Sequence, residues 1–194
     1  MNICVYGAAS SEIDKSFLDA GRELGREMAK RGHGLVFGGG SHGMMGAVAE
    51  GEHEGNGYIL GISPAFFETE GSEGISYPHC TEFIHTETMR DRKRLLEEKA
   101  NGFIITPGGI GTFDEFYEIL TLKQLGRHNK PIVIFNINNY YENLENMMQV
   151  SIEKNFITKD CKELYKTCNT IEEIMEYIEN YDEKAIDVSR VKIR

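Results

Sequence analysis

Two glycine-rich turns in the sequence have residue types that can hold an anion. One of them, residues 107–112, reads Pro-Gly-Gly-Ile-Gly-Thr and lies between an apolar run and a long segment with helical periodicity. Glycine lets a ligand approach the backbone closely, and the first N–H groups of a helix point at an anion. No Gly-Lys-Ser/Thr follows, which argues against a Walker A loop and NTP hydrolysis. We therefore expect this turn to bind a phosphorylated small molecule through Gly108, Gly109, Ile110, Gly111 and Thr112.

The other turn, residues 38–46, also follows an apolar run and opens a helical segment. Its consecutive glycines, Gly38, Gly39 and Gly40, permit positive φ angles and close approach of a ligand to the backbone. The turn is not a GxGxxG fingerprint, and no acidic residue follows at the distance at which a dinucleotide-binding fold reads the ribose. It predicts either an anion-binding turn or a tight turn whose glycines serve packing alone.

Glu115 lies where a buried apolar residue is expected. At roughly 100° per residue, Glu115 falls on the helical stripe of Ile119 and Leu122, whereas Asp114 points away from it. Burying a lone carboxylate is unfavourable unless a partner or a ligand compensates its charge, so Glu115 is a candidate site residue. The alternative is that its carboxylate binds backbone N–H groups at the start of the helix.

A basic helical segment, residues 88–100, precedes this turn. Met89, Leu96 and Ala100 form its apolar stripe, and Arg92 and Lys93 border the stripe on either side. Other charged residues of this segment lie farther round and are expected in solvent, where i,i+4 pairs can form between Arg94 and Glu98. Arg92 is therefore a second candidate site residue.

The elements that must position these residues alternate between strand and helix. Nearly continuous apolar runs indicate strands buried on both faces, which is typical of a parallel sheet covered by helices. The predicted strands are 3–7, 34–38, 58–62, 82–85, 102–106 and 131–136, with a weaker candidate at 163–168. The predicted helices are 12–31, 43–55, 88–100, 112–126, 140–155 and 171–181. The sequence therefore predicts an α/β fold, a single-domain Rossmann-like doubly wound sheet of about seven strands, in which ligands bind at the carboxyl ends of the strands.

Composition limits the possible partners. The 194 residues suit one domain, predicted over 1–181 with a frayed tail at 182–194, and the net charge of −10 disfavours nucleic acid and anionic membranes. The four cysteines are scattered without metal-binding spacing, and neither a signal peptide nor a membrane span is recognisable. We therefore expect a cytoplasmic protein with buried thiols and no metal. Residues 63–80 are expected to form a lid or an interface loop.

The two basic and glycine-rich motifs together resemble a known signature. Met89-x-x-Arg92-Lys93, followed at 107–115 by PGGxGTxxE, is similar to the paired motif of the LOG family, the cytokinin riboside 5′-monophosphate phosphoribohydrolases. The similarity covers roughly residues 1 to 180 and includes the turn at 38–46. It implies hydrolysis of the N-glycosidic bond of an adenine-type nucleoside 5′-monophosphate, without a metal or an organic cofactor.

The resemblance also implies roles for residues at matching positions. Arg92 and Glu115 are expected to be catalytic, with Glu115 activating water and Arg92 orienting the substrate, because an arginine stays protonated and cannot act as a base. It further implies a homodimer or higher oligomer with sites near the interface. Substrate contacts are expected from Gly39, Gly40, Ser41, Met89, Lys93, Gly108, Gly109, Ile110, Gly111, Thr112 and Thr121.

Two other functions remain open at this point. The similar molybdenum-cofactor carrier proteins suggest a pocket that binds without turnover, against which the presence of both Arg92 and Glu115 argues. A lysine decarboxylase, a label often given to this family, would need pyridoxal phosphate on a Schiff-base lysine, and no lysine has a persuasive setting. The group that protonates the leaving base is unassigned among His42, His79 and His85.

Overall fold

The computed structural model describes residues 1–67, 76–183 and 188–191. All of its strands are parallel and belong to one sheet. They are β1 (Asn2–Tyr6), β2 (Gly34–Phe37), β3 (Ile59–Pro64), β4 (Glu82–Thr86), β5 (Gly102–Ile105), β6 (Ile132–Phe135) and β7 (Lys166–Cys168). The helices are α1 (Lys15–Lys30), α2 (Gly43–Glu54), α3 (Met89–Lys99), α4 (Ile110–Gln124), α5 (Glu142–Glu153), α6 (Ile171–Glu179) and α7 (Val188–Val191).

The strand order is β4-β3-β2-β1-β5-β6-β7, which confirms the doubly wound sheet. The chain builds outward from β1 to β4, returns through α3, and builds outward again from β5 to β7. The order therefore reverses between β1 and β5. In open sheets of this kind a crevice forms at the carboxyl ends of the two strands at this reversal, because their connections leave in opposite directions.

Alternation along the strands creates two hydrophobic layers. Ile3 and Val5 of β1 point to one face, where α1, α2 and α6 pack, while Cys4 and Tyr6 point to the other, where α3, α4 and α5 pack. Both faces are thus covered, which explains why the strands read as continuous apolar runs. Among the described residues, no helix is long and apolar enough to cross a membrane.

Several element boundaries differ from the sequence prediction for local reasons. α1 begins at Lys15 because the Asp14 side chain accepts a hydrogen bond from the Ser16 N–H and caps the helix. α4 begins at Ile110, inside the glycine-rich turn, rather than at residue 112. Residues 159–164 form a 3₁₀ turn, so β7 is shorter than the predicted strand.

The predicted lid and tail are described only in part. Residues 68–75, the middle of the predicted lid, lie outside the described residues, as do 184–187 and 192–194. Ser63 and Pro64 belong to β3 rather than to a loop. The expectation of a frayed tail is wrong for residues 188–191, because they form α7 and bury Val191, whose carbonyl accepts a hydrogen bond from the Gln124 side chain.

Close packing of α1 against α2 leaves one carboxyl group in the interior. Cβ atoms on Gly25 or Gly51 would overlap backbone of the opposite helix, so glycine sets this approach. Glu52 of α2 is fully buried, and neither of its carboxyl oxygens has a hydrogen-bond partner among the described residues. Burial raises the pKa of Glu52 from 4.5 to about 8.

The buried Glu52 predicts a stability that falls as pH rises. Between pH 4.5 and about 8 the folded protein keeps a proton that the unfolded chain releases, so the free energy of unfolding decreases across this window by up to ~1.4 kcal/mol per pH unit. We expect Glu52→Gln to remove this slope. Denaturant unfolding at several pH values measures it, with Glu23→Gln, an exposed carboxylate on α1, as the control. Parallel pH profiles for wild type and Glu52→Gln would contradict the prediction.

Candidate functional site

Ala8, which follows β1, joins the two glycine-rich turns at the point where the strand order reverses. Its N–H donates to the Pro107 carbonyl at 3.1 Å, and its carbonyl accepts from the Met45 N–H at 3.2 Å. Gly43 has a φ of +61°, and a Cβ there would overlap the same carbonyl. Both turns therefore lie together at the predicted ligand-binding edge of the sheet.

The turn at 107–112 is open beside Gly109 and Gly111. A Cβ on either residue would meet no atom within 4 Å, whereas a Cβ on Gly108 would overlap the Thr112 side chain. Thr112 is buried against Gly108, and Ile110 is exposed. Backbone groups, rather than the Thr112 hydroxyl, therefore border the open space.

The helices that begin in the glycine-rich turns have no side-chain caps. α1, α3 and α6 each start with a hydrogen bond from a backbone N–H to a side chain, of Asp14, Thr88 and Thr170 respectively. The N-cap residues of α2 and α4, His42 and Gly109, make no such bond. Since the first N–H groups of a helix have no acceptor within it, these two N-termini suit an anionic ligand.

The turn at 38–46 packs tightly on its β3–β4 side. Gly39 has a φ of +82°, and a Cβ there would press on the Phe83 ring; its carbonyl accepts from the Tyr77 N–H at 2.8 Å. Gly40 pairs with Ser76 in an isolated bridge. These glycines thus do serve packing. The next residue is placed differently: Ser41 lines a cleft of about 450 Å³ together with Ser11, Lys15, Arg22, His42 and Tyr77.

Arg92 of α3 is buried against the ends of β2 and β3. Its Nε donates to the Ile62 carbonyl at 3.3 Å, and its guanidinium lies 5.9 Å from the centre of the Phe67 ring. A Cβ on Gly38 would overlap its Nη2, so Gly38 is the residue that makes room for the guanidinium. The prediction that Arg92 faces the interior, and that Arg90 and Arg94 face solvent, is confirmed.

Glu115 meets Arg92 in a buried ion pair. Its Oε1 lies 3.9 Å from Nη2 of Arg92, and the two side chains are only 12% and 5% exposed. The projection that buries Glu115 and exposes Asp114, 58% exposed, is confirmed. Burial, Cys4 and then Glu115 raise the pKa of Tyr6 on β1 well above its usual range. The Arg92 guanidinium therefore places a positive charge beside this carboxylate.

Three other predicted contact residues lie at different distances from this pair. The Met89 sulfur is 3.9 Å from Nη1 of Arg92 and belongs to the same group. Lys93 is engaged by Asp114 at 3.0 Å and by Glu118 at 2.6 Å, so α3 and α4 are linked on the outer side. Thr121 lines a separate apolar cavity of about 250 Å³ beside Met147, away from the glycine-rich turns.

Sequence reasoning missed residues that build the site without a motif of their own. Tyr140 and Tyr141 donate hydrogen bonds to the carbonyls of Gly108 and Thr106 at 2.7 and 2.8 Å. Two adjacent tyrosines just after a buried strand were a usable signal, because ligand sites lie at strand ends. The backbone contacts of Ala8 carry no such signal.

Comparisons with known proteins agree with the motifs. Residues 45–178 match the family model described as "Possible lysine decarboxylase". The Arabidopsis thaliana cytokinin riboside 5′-monophosphate phosphoribohydrolase LOG2 is 31% identical over 185 residues, which cover 95% of this chain and 85% of the relative. LOG3 of the same plant is 33% identical over 179 residues, covering 92% and 82%.

The fold is also similar to that of a solved structure with a different name. The molybdenum cofactor carrier protein of Chlamydomonas reinhardtii has a TM-score of 0.68, with 92% of this chain and 95% of that chain covered at 20% identity. This likeness shows a shared fold alone. The family match and the identity with the plant enzymes go further: this chain belongs to the family that includes the LOG cytokinin riboside 5′-monophosphate phosphoribohydrolases.

Proposed function

We propose that this chain is a hydrolase that cleaves the N-glycosidic bond of adenine-type nucleoside 5′-monophosphates, AMP or N6-substituted cytokinin nucleotides. The products are the free base and ribose 5-phosphate. One observation carries the proposal: the Glu115 carboxylate is held in a nearly dry position beside Arg92, on the same helix whose uncapped start forms the glycine-rich turn. The names of the plant relatives support the substrate class.

The helix sets the spacing between the phosphate turn and the carboxylate. Glu115 is four residues after Gly111, which corresponds to ~6 Å along a helix axis. A ribose 5′-phosphate whose phosphate sits at the N-terminus of α4 can place its anomeric carbon near a side chain one turn farther along. The phosphate and the scissile bond thus have separate partners on one rigid element.

In the proposed reaction water attacks the anomeric carbon as the bond to the base nitrogen breaks. Positive charge develops on the ribose in the transition state, and the Glu115 carboxylate stabilises this charge and accepts a proton from the attacking water. The new C–O bond gives ribose 5-phosphate, and the electron pair of the broken bond leaves with the base, which takes up a proton. A low-dielectric setting strengthens the electrostatic effect of the carboxylate.

Arg92 contributes position and charge to this proposal. An arginine guanidinium stays protonated, so it can hold Glu115 ionised and fix its orientation but cannot accept the proton of water. Its Nη2 lies 3.9 Å from Oε1 of Glu115, so its charge acts directly on the carboxylate.

Substrate selectivity is tested by incubation with AMP, GMP, CMP and N6-prenylated AMP, followed by chromatography of the released bases. We expect release from the two adenine-type nucleotides and little from the others. Equal cleavage of GMP or CMP would contradict the base class. Tight binding of a monophosphate without cleavage would favour a carrier function over hydrolysis.

Removing the Glu115 charge is expected to abolish turnover without abolishing binding. Glu115→Gln keeps the side-chain volume but cannot accept a proton, so we expect kcat to fall by roughly 10²-fold or more. The affinity for AMP, measured by calorimetry, should change by only a few-fold. Asp114→Asn, a neighbouring exposed carboxylate on the same helix, is the matched control and should retain wild-type kcat. Wild-type turnover in Glu115→Gln would exclude the proposed mechanism.

A methyl group at Gly111 is expected to weaken nucleotide binding while preserving the fold. A Cβ there meets no protein atom, and alanine favours a helix over glycine by up to ~1 kcal/mol. Gly111→Ala should therefore match or exceed the wild-type thermal midpoint and yet lose roughly tenfold or more in AMP affinity. Gly108→Ala, which collides with Thr112, should instead lower the midpoint. Unchanged AMP affinity in Gly111→Ala would contradict the proposal that this turn binds the phosphate group.

A further inference from the structure

The segment after β6 bends sharply beside the turn at 107–112. Asn138 and Asn139 have φ angles of +52° and +59°, a left-handed conformation that asparagine tolerates better than most residues. The Asn136 side chain accepts a hydrogen bond from the Tyr141 N–H at 2.8 Å and closes the bend. Because β6 is the neighbour of β5, this bend lies beside the turn that follows β5.

Two tyrosines of this segment donate hydrogen bonds to carbonyl groups in the turn at 107–112 and just before it. The Tyr140 hydroxyl donates to the Gly108 carbonyl at 2.7 Å, and the Tyr141 hydroxyl donates to the Thr106 carbonyl at 2.8 Å. The intervening Pro107 carbonyl accepts from the Ala8 N–H at 3.1 Å. Three successive carbonyls, those of Thr106, Pro107 and Gly108, thus accept hydrogen bonds from other segments.

Because the peptide group is planar, the hydrogen bond to the Gly108 carbonyl also fixes the direction of the Gly109 N–H. In a trans peptide the C=O of one residue and the N–H of the next point in opposite directions. With the Gly108 carbonyl held on Tyr140, the Gly109 N–H must point away from Tyr140. Gly109 is the N-cap of α4 and borders the open side of the turn.

The two tyrosines differ in how far they are exposed to solvent. Tyr140 is 43% exposed, whereas Tyr141, whose hydroxyl makes the other bond, is 1% exposed. Its ring is nevertheless fixed in place by an edge contact with Phe17, with ring centroids 6.1 Å apart. An exposed side chain held in one orientation to bind one carbonyl favours a role in shaping the turn.

We propose that Tyr140 is a positioning residue that aims the Gly109 N–H at the phosphate group of the nucleotide. This inference rests on the proposed function, in which the turn at 107–112 binds a phosphate monoester. Tyr140 touches neither the scissile bond nor Glu115 in this proposal. Its loss therefore affects phosphate binding more than the chemical step.

The test is Tyr140→Phe, which removes only the hydroxyl. We expect the Kd for ribose 5-phosphate to rise about tenfold, the KM for AMP to rise by a similar factor, and kcat to change less than threefold. Tyr58→Phe is the matched control, since Tyr58 is similarly exposed and its hydroxyl also makes one hydrogen bond, to Glu82 at 2.8 Å. This variant should retain the wild-type constants.

A measurement without ligand separates this inference from the proposed function. In ¹⁵N-resolved spectra of the free protein, Tyr140→Phe should shift the Gly109 amide resonance and speed its hydrogen exchange, while Tyr58→Phe should do neither. An unchanged Gly109 amide, or a loss confined to kcat, would overturn the role of Tyr140. Failure of the wild-type protein to cleave any nucleotide would reject the proposed function, yet the Gly109 amide and the ribose 5-phosphate affinity would still decide this inference.

Discussion

The buried guanidinium of Arg92 is the constraint on which the rest of the site depends. An ion removed from water loses several kcal/mol of effective solvation, which must be offset by a partner charge and by hydrogen bonds. The offset here comes from the Ile62 carbonyl and the Glu115 carboxylate, and the space comes from Gly38. β2, β3, α3 and α4 therefore have to meet at one point. Loss of the Glu115 carboxylate would remove a compensating charge, and a side chain at Gly38 would displace the guanidinium.

The parallel sheet makes this meeting possible. Its strands all end at one edge, so the residues after β1, β2 and β5 converge although they are far apart in sequence. Ala8 fixes the two glycine-rich turns relative to each other through its own N–H and carbonyl. These bonds use backbone atoms alone, so the relative position of the turns depends on the strand register rather than on particular side chains.

Periodicity predicted the fold and the two charged residues of the site, because burial leaves a pattern in the sequence. Glu115 and Arg92 could be recognised as charges on apolar stripes; Arg92 is buried, and the Glu115 side chain is only 12% exposed. Partners across the sheet leave no pattern, so the Ile62 carbonyl and the fit between Gly38 and Arg92 became visible only in three dimensions. Thr121, which the family resemblance implies as a contact position, lines a separate cavity.

The turn at 107–112 and the pair of Arg92 and Glu115 differ in how specifically each indicates a function. Backbone N–H groups at a helix start accept many phosphorylated ligands, so a turn such as 107–112 suits a carrier and an enzyme equally well. A carboxylate buried beside an arginine has a cost in folding that binding alone does not require. Its presence one helical turn beyond an open glycine-rich turn is better explained by stabilisation of a charge that develops only during reaction. The Arg92 and Glu115 pair, rather than the glycines, is therefore what favours hydrolysis.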